Sequence, residues 1–155
     1  MALTIRLAEP RDAGIIAEFN RRMAWETEHK RLDVYVLLAG VNAILGDPNK
    51  GVYYVAYDGE EVVGQAMVTY EWSDWRNGRW WWLQSVYVPA EHRRKGVFHS
   101  LYQFMQQKVE AAPDVLGIRL YVEENNTTAQ ATYAKLGMKR LPYILYEHWT
   151  ASRGA

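Results

Sequence analysis

The sequence predicts an α/β (α+β) fold: a single domain over residues 1–155, with a central mixed, mostly antiparallel sheet of about six to seven strands and about four flanking helices. Three observations predict it. The middle of the chain is a series of strand-like runs separated by Asp58-Gly59 and by a turn ending in Asn77-Gly78, which are tight-turn dipeptides. A strand-like run, an apolar stripe at four-residue spacing and a second strand-like run then follow one another, the βαβ pattern of a parallel pair. A length of 155 residues suits one sizeable core.

Taken in order, LTIRL at 3–7 alternates like a short strand. Pro10 suits a first helical position, with Asp12 in the first turn and Ile15, Ile16, Phe19 and Met23 on one face. A second helix carries Val34, Leu37, Leu38, Val41 and Leu45 and ends before Gly46, Asp47 and Pro48. Between the two lies AWETEHKRLD, residues 24–33, a polar and charged connection. VYYVAY at 52–57, EEVVGQAMVTYEW after Gly59, and RWWWLQSVYV at 79–88 form a meander. The last is apolar at nearly every position, which predicts cover on both faces. Val97, Leu101, Met105 and Val109 make one helix face that ends before Pro113. GIRLYV at 117–122 is a strand, a helix runs from about Thr127 to Leu136 and stops at Gly137, and LPYILYEHW at 141–149 is a last strand.

Composition narrows the function classes. Lys plus Arg and Asp plus Glu are both 18, which argues against a general nucleic-acid binder. There is no cysteine, hence no disulfide framework or thiolate metal site, and the four histidines show no metal spacing, so no metal is expected. MALTIRLAEPRDAG does not read as a signal peptide, and no apolar run approaches a membrane span of about 20 residues. The expectation is a cytoplasmic domain with no nucleic-acid or membrane partner. Seven tryptophans and eleven tyrosines are unusual; core packing, a homodimer interface and an aromatic pocket all use such residues.

HRRKGVFHSLY, residues 92–102, is an odd way to begin a helix. Arg93, Arg94 and Lys95 crowd the end at which the helix dipole disfavours cations. The backbone N–H groups of a helix start, with a glycine that allows close approach, form a ready anion site. A solvated basic turn explains the same residues. GxxxxGK[ST] and GxGxxG are both absent, so the common nucleotide and dinucleotide fingerprints are missing.

VYVPAEHRRKGV followed by HSLY resembles the acetyl-CoA motif of the GNAT superfamily of acyl-CoA N-acyltransferases, (Q/R)-x-x-G-x-(G/A), read here as Arg93-Arg94-Lys95-Gly96-Val97-Phe98. ENNTTAQATYAKLGM at 124–138 resembles that family's second motif through Asn126, Ala129, Tyr133, Gly137 and Met138. The order of elements along the chain is also similar. Phe98 departs from the small residue the motif usually carries. The resemblance implies acetyl-CoA as co-substrate, held by Val86, Tyr87 and Val88 through the backbone, by Arg93, Arg94, Lys95, Gly96, Val97 and Phe98 at the pyrophosphate, and by Asn126, Ala129 and Tyr133.

It also implies transfer of an acetyl group to a primary amine by direct attack. The family's tyrosine near the CoA sulfur corresponds to Tyr133, the candidate general acid. Asn126 and Tyr133 are seven residues apart and share a helix face. Some family members carry a glutamate on the strand before the basic loop; Trp82-Leu83-Gln84-Ser85 has none. The base then comes from elsewhere, with Glu26, Glu28 and Glu71 as candidates, or water relays the proton. Trp25, Trp72, Trp75 and Trp82, with Gln84, are the candidate acceptor surface, suited to a cationic amine with an apolar body through cation–π and ionic contacts; a small molecule is the preferred acceptor, and a peptide N-terminus or a lysine side chain is also compatible. A non-catalytic acyl-CoA sensor on the same fold is the competing expectation.

Overall fold

The computed structural model describes residues 2–153. They form two compact units, one ending at Tyr121 and one beginning at Val122. The first unit contains β1 (Leu3–Leu7), α1 (Ala13–Glu28), α2 (Val34–Gly46), β2 (Val52–Asp58), β3 (Glu61–Ser73), β4 (Gly78–Tyr87), α3 (Val97–Ala111) and β5 (Val115–Leu120). Short 3-10 turns at Pro10–Asp12 and Ala90–His92 precede α1 and α3. The five strands lie in sequence order. All neighbours are antiparallel except β4 and β5, which are parallel across the α3 crossover.

β2 and β3 are apolar at consecutive positions because both sheet faces are covered there. In β2, Tyr54 and Ala56 pack with Leu83, Trp81 and the α3 residues Val97, Leu101, Met105 and Val109. The alternate residues, Tyr53 and Val55, pack with Ala13 and Ile16 of α1 and Val41 of α2. Burying a side chain such as Ile16 or Leu101, both fully inaccessible, stabilises the fold by about 1.5–3 kcal/mol. Gly64 on β3 lets α3 lie close: a Cβ there would sit 2.8 Å from Val97 Cγ1 and 3.3 Å from Leu101 Cδ1.

Several expected boundaries move. Residues 24–28 are the last turns of α1 and not a connection. Ala24 and the glutamates are good helix formers, and Thr27 turns its hydroxyl back to the Met23 carbonyl at 2.8 Å. His29, at φ 50, stops the helix, and Lys30 N–H donates to Ala24 O. Asp33 caps α2, its carboxylate accepting from the Tyr35 and Val36 amides at 2.9 and 3.1 Å. β5 begins and ends two residues earlier than its sequence pattern indicated.

The second unit is built on α4 (Thr127–Lys135), closed by Gly137 at φ 89 with Met138 N–H donating to Tyr133 O. The expected strand over residues 141–149 does not form, so the sheet has five strands and not six or seven. A strand exists only through a ladder partner, and these residues have none among the described residues. Tyr143 (81%), Ile144 (79%), Leu145 (69%) and Tyr146 (86%) are largely exposed. Among the described residues, no helix is long and apolar enough to cross a membrane.

Candidate active site

The basic loop joins the end of β4 to α3. His92 and Arg93 close the 3-10 turn through their amides, onto Pro89 O and Ala90 O. Arg93 is then extended, Arg94 takes the left-handed region at φ 62, and Gly96 takes it again at φ 82. A non-glycine residue there is strained by about 1–3 kcal/mol and marks a backbone held by its surroundings. α3 starts without a side-chain cap, and its first internal bond runs from Ser100 N–H to Gly96 O at 3.0 Å. The first N–H groups of a helix have no partner within it, and here they follow directly on the exposed Arg94 and Lys95. The Phe98 ring, the departure from the small-residue pattern, lies 6.2 Å from the Tyr102 ring one turn along α3.

Arg93 is placed differently from its two neighbours. Its Nε donates to Val88 O at 2.8 Å and its Nη2 to Glu26 Oε2 at 2.5 Å. The other oxygen of Glu26 accepts from the Tyr87 hydroxyl at 2.8 Å. The Arg93 hydrogen bond, aided by Tyr87, holds the Glu26 carboxyl below the usual range despite partial burial. Burial first, and the adjacent Glu26 carboxylate second, push the Tyr87 phenol up to about 12. One of the three crowded cations thus has a carboxylate partner from α1. Glu28, at the last position of α1, is exposed.

β4 carries one residue more than β3 at the next position. Met67 pairs with Ser85 and Val68 with Leu83, so Gln84 is bulged out. Its amide donates to Thr69 Oγ1 at 2.8 Å. The ladder between β4 and β5 ends at Leu83 and Leu120. Beyond it, among the described residues, Ser85, Val86 and Tyr87 pair with β3 only, which leaves the other backbone edge of β4 open. Val86 and Val88 direct their side chains to the α3 core.

An aromatic surface covers the opposite face of β4 and β5. Trp82 Nε1 donates to Glu71 Oε1 at 2.7 Å, and Arg119 Nη1 approaches the same oxygen at 3.4 Å. The rings of Trp82 and Tyr121 stack with centroids 4.4 Å apart, and the Arg119 guanidinium lies 4.0 Å from the Trp80 ring centre. Cover on this face is therefore incomplete, and Tyr121 is 55% exposed. Of the four tryptophans expected to share a surface, Trp82 alone belongs here. Trp72 pairs with Arg79, one position out of phase, and sits on the other sheet face. Trp75 is at the exposed tip of the β3–β4 turn, and Trp25 packs edge-on to His29. Arg119 and Tyr121 went unrecognised in the sequence. The parallel register that sets Arg119 opposite Trp82 is their only signal, and it is a property of the folded sheet.

In the second unit, Asn126 caps α4, its Oδ1 accepting from Ala129 N–H at 3.1 Å. Gln130 donates to the carbonyls of Glu123 and Glu124 and ties down the preceding loop. Burial raises the Tyr133 phenol above its ordinary range, so it holds its proton at neutral pH. Among the described residues, no group of three or more His, Asp or Glu is placed to hold a metal ion.

The model of the acetyltransferase (GNAT) family matches residues 14–138. Streptothricin acetyltransferase from Escherichia coli is 36% identical over 84 residues, which are 54% of this chain and 45% of that protein. The chain thus aligns with a little under half the length of that curated relative. The crystal structure of a possible acetyltransferase from Clostridium difficile 630 superposes with a TM-score of 0.91 at 46% identity, over 97% of this chain and 99% of the other. Aminoglycoside N-acetyltransferase AAC(6')-Iy, in complex with CoA, shares the fold at a TM-score of 0.77 and 14% identity, over 96% and 95% of the two chains. With most of its length matched by the family model and a near-full-length relative at 46% identity, the chain belongs to the acetyltransferase (GNAT) family.

Proposed function

We propose that the chain transfers an acetyl group from acetyl-CoA to the primary amine of a small cationic acceptor. The observation that carries this reading is the loop 93–96: two left-handed residues opening an uncapped helix, with Arg94 and Lys95 exposed beside it. That arrangement fits a pyrophosphate. The open edge of Ser85, Val86 and Tyr87 offers N–H and C=O groups to the amide-containing arm of the same molecule.

In the reaction the amine nitrogen attacks the thioester carbonyl carbon, a C–N bond forms, and the C–S bond breaks. The acceptor ammonium first gives a proton to solvent or a carboxylate; after attack the departing thiolate takes a proton from Tyr133, and the excess proton on the acylated nitrogen returns through solvent to the tyrosinate, leaving the neutral amide and CoA thiol. A half-buried phenol whose pKa is raised by desolvation holds its proton until the thiolate departs. Glu71, set among Trp82, Tyr121 and Arg119, fits recognition of the cationic acceptor. The name of the Escherichia coli relative gives a small-molecule acceptor, streptothricin, which supports that class over a peptide. The exposed apolar run at 141–149 supports assembly as a homodimer.

Release of CoA thiol, followed with a panel of small amines, tests the reading. Acetyl-CoA-dependent turnover with at least one cationic amine is expected. Tight acetyl-CoA binding with no turnover across the panel would replace the enzyme by a non-catalytic acyl-CoA sensor.

A further inference from the structure

We propose that Glu26 is the anchor of the acyl-CoA loop, a positioning residue that acts through Arg93 and not as the base of the reaction. The inference rests on the acetyl-CoA reading of that loop. Glu26 lies near the end of α1, and Arg93 is 67 residues further along the chain. Their ion pair at 2.5 Å is the tie between the last turn of α1 and the residue that enters the loop. Arg93 is held at two more points, by Val88 O at 2.8 Å and over the Tyr87 ring with 5.7 Å to its centre. Tyr87, nearly inaccessible, donates to Glu26 and packs its ring 5.3 Å from Phe19 of the same helix. The end of β4, the end of α1 and the loop entrance thus share one carboxylate.

Two features of the loop require such a tie. Arg94 is left-handed without being glycine, so its backbone persists only where its neighbours are fixed. Arg93, Arg94 and Lys95 would repel one another if all three were unpaired. Glu26 neutralises the first and leaves the next two cations for the diphosphate. A carboxylate held by an arginine on one oxygen and a phenol on the other has an acceptor position taken on each, and the cation depresses its proton affinity. It is poorly suited to taking a proton from an amine.

The test is the split between KM and kcat in Glu26→Gln, Arg93→Lys and the double variant, with Tyr87→Phe as a milder second probe. Glu26→Gln is expected to raise KM for acetyl-CoA by about tenfold or more, while kcat at saturating acetyl-CoA falls by less than about threefold and keeps its pH profile. The double variant should cost no more than the worse single one, because both break the same tie. A fall in kcat with unchanged KM for acetyl-CoA, and loss of the rise of kcat with pH, would make Glu26 the base and overturn the proposal. Unchanged values for both parameters would overturn it equally. Hydrogen exchange at the amides of residues 94–97 separates this from the functional reading. Faster exchange in Glu26→Gln and Tyr87→Phe is expected whether or not acetyl-CoA is the ligand. Failure of the wild type to bind acetyl-CoA would strike the functional reading alone, and unaltered exchange in the variants would strike the anchor.

Discussion

At the scale of single residues, Tyr133 carries the sharpest chemical claim. In the proposed reaction its hydroxyl would supply the proton for the leaving thiolate, so Tyr133→Phe should lower kcat by roughly 100- to 10,000-fold with little change in KM for acetyl-CoA. A variant with full kcat across pH removes Tyr133 from the mechanism. Asp12 gives a test of stability. Burial alone would raise its pKa; hydrogen bonds from Arg6, the Glu9 amide and Tyr57 instead bring it below the ordinary carboxylate range. A depressed folded pKa stabilises the fold above the unfolded value near 3.8 and ceases to do so as pH falls through the folded one. Asp12→Asn should therefore lower the melting temperature at pH 7, with the gap to wild type closing as pH falls below the ordinary carboxylate value and through the depressed folded one. A gap independent of pH would mean that packing, not charge, is what the substitution removes. Residue identities at the loop and on α4 were legible as motifs. Their partners were not. Nothing local links Glu26 to Arg93, and Asn126, expected beside the pantetheine, turns its side chain to cap its own helix.

At the scale of elements, local pattern located most helices and strands because their apolar spacing and turn residues agree with the folded packing. The four-residue stripe of α3 is the buried face, and the Asp58-Gly59 turn has Gly59 at φ 63. The misses have one cause, dependence on a partner distant in sequence. The bulge at Gln84 is a register relation between β3 and β4, and no single strand encodes it. Residues 141–149 have the composition of a strand without a ladder. The close seating of α3 on β3 makes Gly64 a further test, since an added Cβ meets Val97 at 2.8 Å. Gly64→Ala should destabilise the fold by about 1–3 kcal/mol and weaken acetyl-CoA binding, because Val97 opens the helix that carries the loop. Gly96→Ala has open space for its Cβ but a left-handed backbone at φ 82, so conformational strain of about 1–2 kcal/mol is all it should add. Urea denaturation of the two variants gives the comparison. A larger loss for Gly96→Ala than for Gly64→Ala would contradict the packing at the helix start.

At the scale of the whole molecule, the exposed stretch from Tyr143 to Tyr146 is a large apolar surface for a protein in water. Self-association should cover it, and sedimentation should find a dimer that Ile144→Lys weakens. A monomer at every concentration would contradict the homodimer. The central claim is that acetyl-CoA binds through the loop at the start of α3. Thermal shift with acetyl-CoA, CoA, desulfo-CoA and ATP, on wild type and on the Arg94→Ala, Lys95→Ala double variant, tests it most directly. Ligand at about 100 times Kd should stabilise the wild type by about 2.7 kcal/mol, several degrees for a chain of this size. The shift should appear with all three CoA compounds and shrink in the double variant. No shift with any CoA compound, or an undiminished shift in the double variant, would contradict binding at this loop.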